Sequence, residues 1–207
     1  MSIAFKDRVA QIAIAQAPIY KSVFVDYEYL ICSSAFKKHP YFIISAKADN
    51  YRHLIGVNTN MSAADFFEAC LTGRLCTSDF GFNKKNRSEK EVKGSVRKKI
   101  KVLPLLMGMV TQELVAQESF SKNAVTCAFA TTDCNYTVGF VDTGKARPMT
   151  LLHGDEIDWN NCATVDLILR RPSGRLQFDT ITYGSHSTLA QYRHAIDSML
   201  ADCLKTD

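Results

Sequence analysis

Beyond position 124 the apolar residues stop recurring every three or four places and fall into short runs, and this change of period constrains the fold more than any single motif. The runs cover 125–130, 136–141, 149–152, 164–169 and 176–182. Between them stand turn-forming groups: Asp133-Cys134-Asn135, Asp142-Thr143-Gly144-Lys145, Gly154-Asp155 and Pro172-Ser173-Gly174. Runs this short and this rich in β-branched and aromatic residues are of strand length, so the second half is predicted to be a strand meander.

Helical spacing governs both ends and the middle. Ile3, Phe5, Val9, Ile12, Ile14 and Ala17 predict an amphipathic helix that stops at Pro18, and Leu189, Tyr192, Ile196, Met199, Leu200 and Leu204 predict a closing helix over 187–204. Ser62 is a good N-cap for a short helix carrying Phe66, Phe67, Cys70 and Leu71, which ends at Gly73. Aromatic and β-branched residues crowd 23–32 and 41–45 on either side of Lys37-Lys38-His39-Pro40, which predicts an antiparallel strand pair. The apolar segment 102–110 is too short to cross a membrane and reads as a buried helix bent at Pro104. The sum is an α+β fold: a mostly antiparallel sheet with N-terminal, central and C-terminal helices. With 207 residues, 46% of them hydrophobic, the chain can bury a core without staples, and a single domain over 1–207 is expected, with a basic helical insert around 84–110.

Several chemistries are excluded or left without support. The seven cysteines contain no Cys-x-x-Cys, and their odd number suggests free thiols in a reducing cytoplasm. No His-Glu-x-x-His or paired Cys/His frame is present, so neither a metal nor another cofactor is expected. Walker, Gly-x-Gly-x-x-Gly, Gly-x-Ser-x-Gly and kinase signatures are missing. The first residues mix acid and base where a signal peptide would turn apolar, and no run reaches spanning length; a cytoplasmic protein with no membrane partner is expected.

Three features could carry function. Residues 84–101 hold nine Lys or Arg against Glu89 and Glu91, a balance of +7 in a chain whose total is +4, so the remainder is −3. A helix starting near Ser88 would line up Lys90, Lys93 and Arg97 with Lys98 and Lys101 beside them, a density suited to phosphates, although a solvated helix face or a loop would have the same composition. The second feature is the polar cluster from Lys47 to Val57. Read as extended, it puts His53 on an apolar face with Tyr51, Ile55 and Val57, and Arg52 opposite. Such a histidine is either a proton carrier beside a phosphate or a buried ring satisfied by backbone carbonyls. Arg147 and His153 on one run, and Ser185 and His186 after another, form a third and weaker group at strand ends, where Ser185 also suits a helix cap.

The residues Tyr41-Phe42-Ile43-Ile44, then Asn50-Tyr51-Arg52-His53-Leu54-Ile55-Gly56-Val57, then Asp65-Phe66-Phe67-Glu68 resemble the fourth phage-associated family of barnase–EndoU–colicin–RelE-like nuclease domains. Looser likenesses follow at Val96-Arg97-Lys98-Lys99-Ile100 with Leu103 and Leu106, at Tyr136-Thr137-Val138-Gly139-Phe140, and at Arg147-Pro148-Met149-Thr150-Leu151-Leu152. The Asn-aromatic-x-His-Leu-x-Gly element is the sharpest of them. The resemblance implies a helix-plus-antiparallel-sheet nuclease from mobile elements that acts on RNA without a metal, such as a toxin or phage-conflict effector. It carries His53 over as acid or base with Arg52 beside it. Lys98, Lys99, Arg97 and Arg147 are assigned to phosphate binding from their charge, not from the likeness. The expected partner is RNA or another phosphate-bearing ligand, with an antitoxin or host protein as a further one. The alternatives are a module that binds nucleic acid or a phosphorylated ligand without turnover, and an interaction factor that blocks a partner protein.

Overall fold

Helix α1 (Phe5–Tyr20) buries Val9, Ala10, Ala13, Ala17 and Tyr20. It runs through Pro18, where the sequence suggested a stop, because a proline in the last turn removes one donor without reaching the rest of the ladder. The structure, a computed structural model, describes residues 3–122 and 125–205. After α1 the backbone widens into a π turn, Lys21–Val25, which takes Val23, Phe24 and Val25 out of the expected first strand. Strands β1 (Tyr27–Ser33) and β2 (Tyr41–Ile44) pair antiparallel, with Tyr29 opposite Ile44.

The segment expected to be extended around His53 is instead helix α2 (Asn50–Ile55). Its stop is Gly56, which adopts φ +86°, a left-handed geometry that glycine takes without a Cβ penalty. Helix α3 (Ala63–Leu71) starts as expected on Ser62, whose hydroxyl accepts the Asp65 backbone N–H. Helix α4 (Glu89–Leu106) is capped by Ser88 and Glu91 in a reciprocal box and continues through Pro104. Most of the basic stretch and the first half of the apolar segment after it are therefore one helix, buried along Val92, Val96, Ile100, Leu103 and Leu106, while Lys84, Lys85 and Arg87 precede it.

The remaining strands are β3 (Val115–Glu118), β4 (Ser121–Lys122), β5 (Val125–Thr126), β6 (Phe129–Thr132), β7 (Tyr136–Asp142), β8 (Ala146–His153), β9 (Cys162–Pro172) and β10 (Thr180–Tyr183). Helix α5 (His186–Ile196) starts on Ser185, whose hydroxyl accepts the Thr188 N–H, and it is shorter than 187–204 because the chain continues in tight turns.

The expected mostly antiparallel sheet is not what forms. The order β1-β2-β8-β7-β6-β3-β9 returns to its start because β9 also pairs with β1, so seven strands close into a barrel and β10 adds to β9 outside the ring. The closed sheet is mixed: β2 meets β8 in parallel at Ile44 and Ala146, and the Ser45 N–H reaches the Ala146 carbonyl at 2.9 Å. Aromatic packing shows why the sheet curls. Phe42 on β2 stacks on Phe129 of β6 with centroids 4.6 Å apart, and Phe129 stacks on Phe140 at 4.6 Å. In a flat sheet β2 and β6, three strand steps apart, would lie roughly 14 Å from each other. Helices α1 to α4 share the main core with one face of this sheet, while α5 covers Leu30, Cys32, Leu167 and Leu169 on the other.

All seven cysteines are free, and among the described residues no helix is long and apolar enough to cross a membrane.

Candidate active site

Helix α2 is locked from beneath. The Tyr51 hydroxyl donates to the Ala13 carbonyl at 2.7 Å, its ring packs against Tyr20 and Phe67, and the Tyr20 hydroxyl donates to the Lys47 carbonyl. Leu54 and Ile55 are buried beside Tyr51. Asn50 accepts the Lys47 N–H at 2.8 Å, which shapes the turn into the helix. With these residues inward and the helix only six residues long, Arg52 and His53 are left on the outer side. His53 is thus exposed, not the buried ring that an extended reading allowed, and among the described residues its imidazole has no hydrogen-bond partner.

His53 opens onto a cleft of about 670 Å³. Arg52, Lys84 and Lys99 line it with His53, and Val141 of β7 and Met149 and Thr150 of β8 line it as well. Each cation has a separate origin in the fold. Arg52 is half-buried and its Nη1 donates to the Met61 carbonyl at 2.9 Å. Lys84 is carried on the segment 81–87, which is fixed where Gly81 and Asn58 exchange backbone hydrogen bonds of 2.7 and 2.9 Å. Lys99 comes from α4, which packs with α2 against β8, and its Nζ donates to the His53 carbonyl at 2.7 Å. Gly56 makes room for it: a Cβ there would stand 3.0 Å from Lys99 Cδ and 3.4 Å from Nζ.

The electrostatics follow from that crowding. Partial burial, then the charges of Arg52, Lys99 and Lys84, hold the His53 imidazole below its ordinary pKa, against a weak opposing pull from Asp49. Burial, with Lys84 and Arg87 adding to it, pushes Lys99 down to about 8. Lys84 is lowered in the same way by burial, Arg87 and Arg52. No Asp or Glu is among the described residues lining the cleft, and none of these three cations forms an ion pair with a described residue. Among the described residues no group of three or more His, Cys, Asp or Glu is close enough to hold a metal ion.

The other residues singled out in the sequence lie elsewhere. Arg97 places its guanidinium 4.8 Å from the Phe5 ring centroid, and Lys98 is exposed on α4; neither lines the cleft. Arg147 stands opposite Val141 in the β7–β8 ladder, half-buried, with its Nε lacking a hydrogen-bond partner among the described residues. Ser185 caps α5 and does not line the cleft. Lys84, Asn58, Thr59 and Thr150 also line the cleft, and sequence reasoning assigns none of them an individual role. Lys84 was visible only as one of many basic residues, since its place depends on the backbone pairing of two distant loops.

The profile of the family described as phage-Barnase-EndoU-ColicinE5/D-RelE like nuclease4 matches residues 14–165, which takes in α2, α4 and every described residue lining the cleft. No curated protein and no solved structure matches the chain.

Proposed function

This chain belongs to the phage-Barnase-EndoU-ColicinE5/D-RelE like nuclease4 family and has a nuclease-type function, and on that footing we propose that it cleaves RNA at the His53 cleft without a metal, as a cytoplasmic toxin or phage-conflict effector. The observation that carries the proposal is the convergence of an exposed imidazole with Arg52, Lys84 and Lys99 in one cleft that has no carboxylate among its described lining residues. Such a cleft favours a polyanion and offers a divalent cation nothing anionic to bind.

His53 suits the base. Held below its usual pKa, it is neutral near pH 7 and able to take the proton of a ribose 2′-hydroxyl as that oxygen attacks the adjacent phosphorus. Arg52 and Lys84 offset the charge that builds on the phosphoryl oxygens. Arg97, Lys98 and Arg147, outside the lining, serve the nucleotides beyond the scissile bond through their phosphates.

Single-stranded RNA and DNA of one sequence, incubated with the protein in EDTA, test this. RNA should be cut to ends bearing a 2′,3′-cyclic phosphate while DNA survives, and His53→Ala should slow the cut by about 10²–10⁴-fold while melting like the wild type. DNA cut as fast as RNA, or a variant as fast as the parent, would overturn the reading. Salt-sensitive RNA binding with no product would instead favour a module without turnover.

A further inference from the structure

The cleavage above moves two protons, one off the 2′-oxygen and one onto the departing 5′-oxygen, and His53 accounts for the first. The described residues lining the cleft include no Asp, Glu, Cys or Tyr, so the second proton has few sources: Arg52, Lys84, Lys99 and the hydroxyls of three threonines. A guanidinium does not release its proton in a protein, and a threonine hydroxyl is far too weak an acid. Of the two lysines, Lys84 is exposed on a loop, and its ammonium makes no hydrogen bond to a described residue. Lys99 is fixed. Its stem lies against Gly56 and its Nζ holds the backbone carbonyl of His53 itself, so acid and base are tied to the same residue of α2.

Resting on the nuclease reading, we propose that Lys99 is the general acid of the reaction, donating a proton from Nζ to the leaving 5′-oxygen. One of the three ammonium protons is engaged by the His53 carbonyl, which leaves two to face the substrate. The step balances. The 2′-hydroxyl proton goes to the His53 imidazole and the 2′-oxygen forms the new bond to phosphorus. The bond from phosphorus to the 5′-oxygen breaks, its electron pair stays on that oxygen, and the oxygen takes the Lys99 proton. The products are a 2′,3′-cyclic phosphate and a free 5′-hydroxyl, with imidazolium and neutral amine returned to their starting states by water. An ammonium pushed down to about 8 by burial and neighbouring cations remains charged at pH 7, yet it gives up its proton far more readily than an ordinary lysine.

The test uses two RNA oligonucleotides, one natural and one with sulfur in place of the bridging 5′-oxygen at the scissile bond. A thiolate leaves without protonation, so the second substrate has no need of an acid. Lys99→Met should cut natural RNA about 10²–10⁴-fold more slowly than the wild type, yet cut the sulfur substrate within a few-fold of it. His53→Ala should be slow on both. Lys99→Arg, which keeps the charge without a releasable proton, should bind RNA as the wild type does and show the same split between substrates. A Lys99→Met variant equally slow on both substrates, or as fast as the wild type on natural RNA, would overturn the acid role while leaving the nuclease reading intact. Failure of the wild type to cut either substrate would remove both.

Discussion

Glu28, Lys145 and Arg171 use the same chemistry as the His53 cleft and reach the opposite electrostatic state. Glu28 and Arg171 are directly opposed across the β1–β9 ladder, with Arg171 Nη2 and Nε 2.8 and 3.0 Å from Glu28 Oε2, and Lys145 Nζ reaches Oε1 at 2.6 Å. Two cations here share a carboxylate that is 5% exposed, whereas three cations in the cleft surround an imidazole and share no carboxylate. The first set closes the barrel: it bridges the ladder that returns the sheet to β1, and Lys145 adjoins Ala146, where β8 meets β2. The second set leaves its charge uncompensated and available to a ligand. Neutralised cations close the barrel; unneutralised ones line the cleft proposed for RNA.

The comparison can be broken first at the seam. Glu28→Ala leaves the buried Arg171 unpaired and should cost about 3–5 kcal/mol in urea unfolding, whereas a variant with the parent's midpoint would mean that packing alone closes the barrel. Burial alone would raise the Glu28 pKa, but hydrogen bonds from Lys145, Ser45 and Arg171 outweigh it and hold the carboxyl below 4.5. Its contribution is therefore full at neutral pH and disappears as the pH falls through that lowered value.

Activity against pH is the next lever. A rate that needs neutral His53 and charged Lys99 should fall about tenfold per unit below the lowered imidazole pKa and again above about 8, the value set for Lys99 by burial and its neighbours. A flat profile between pH 8 and 10 would remove Lys99 from the rate.

Gly56→Ala should be worth about 1–2 kcal/mol of stability, since alanine resists φ +86°, and its Cβ would press on the Lys99 stem. Thermal melting reads the strain, and a parallel loss of RNA cleavage reads the displaced ammonium.

The smallest effect has the opposite sign. A lysine lowered from 10.5 to about 8 in the folded chain is most unfavourable where both states carry the charge, below pH 8, and the penalty fades as the pH rises toward 10.5. Because Lys99 is only half-buried and its Nζ keeps the bond to the His53 carbonyl, part of that penalty is offset, and Lys99→Met should gain about 1 kcal/mol at pH 7 and lose that advantage by pH 10. A destabilised variant would show that the lysine was held by attraction.

Local periodicity made most elements legible. The strands after β5, the cap at Ser62 and a basic helix starting near Ser88 follow from spacing and cap chemistry. Closure was not legible, because it depends on partners such as Glu28 and Arg171, 143 positions apart, and no local period records that pairing. The error at α2 has a different cause. Tyr51, His53, Ile55 and Val57 alternate as a strand would, but the Tyr51 ring packs on Tyr20 and Phe67, Leu54 is buried in the same core, and Gly56 supplies the stop, so tertiary packing overrode the local period. The same packing explains the Asn-aromatic-x-His-Leu-x-Gly element position by position: turn, anchor, exposed imidazole, core and helix end. The convergence of His53 with Lys99 needed α2 and α4 side by side on β8, which the chain order alone does not state.

The account stands or falls on whether uncompensated cations surround His53, and an NMR titration of its imidazole in the full chain measures that without reference to catalysis. The predicted result is a pKa below 6.5 that climbs when Lys84 and Lys99 are replaced together by methionine and climbs again when inorganic phosphate is added to the parent protein. A value at or above 6.5 that neither change moves would contradict it.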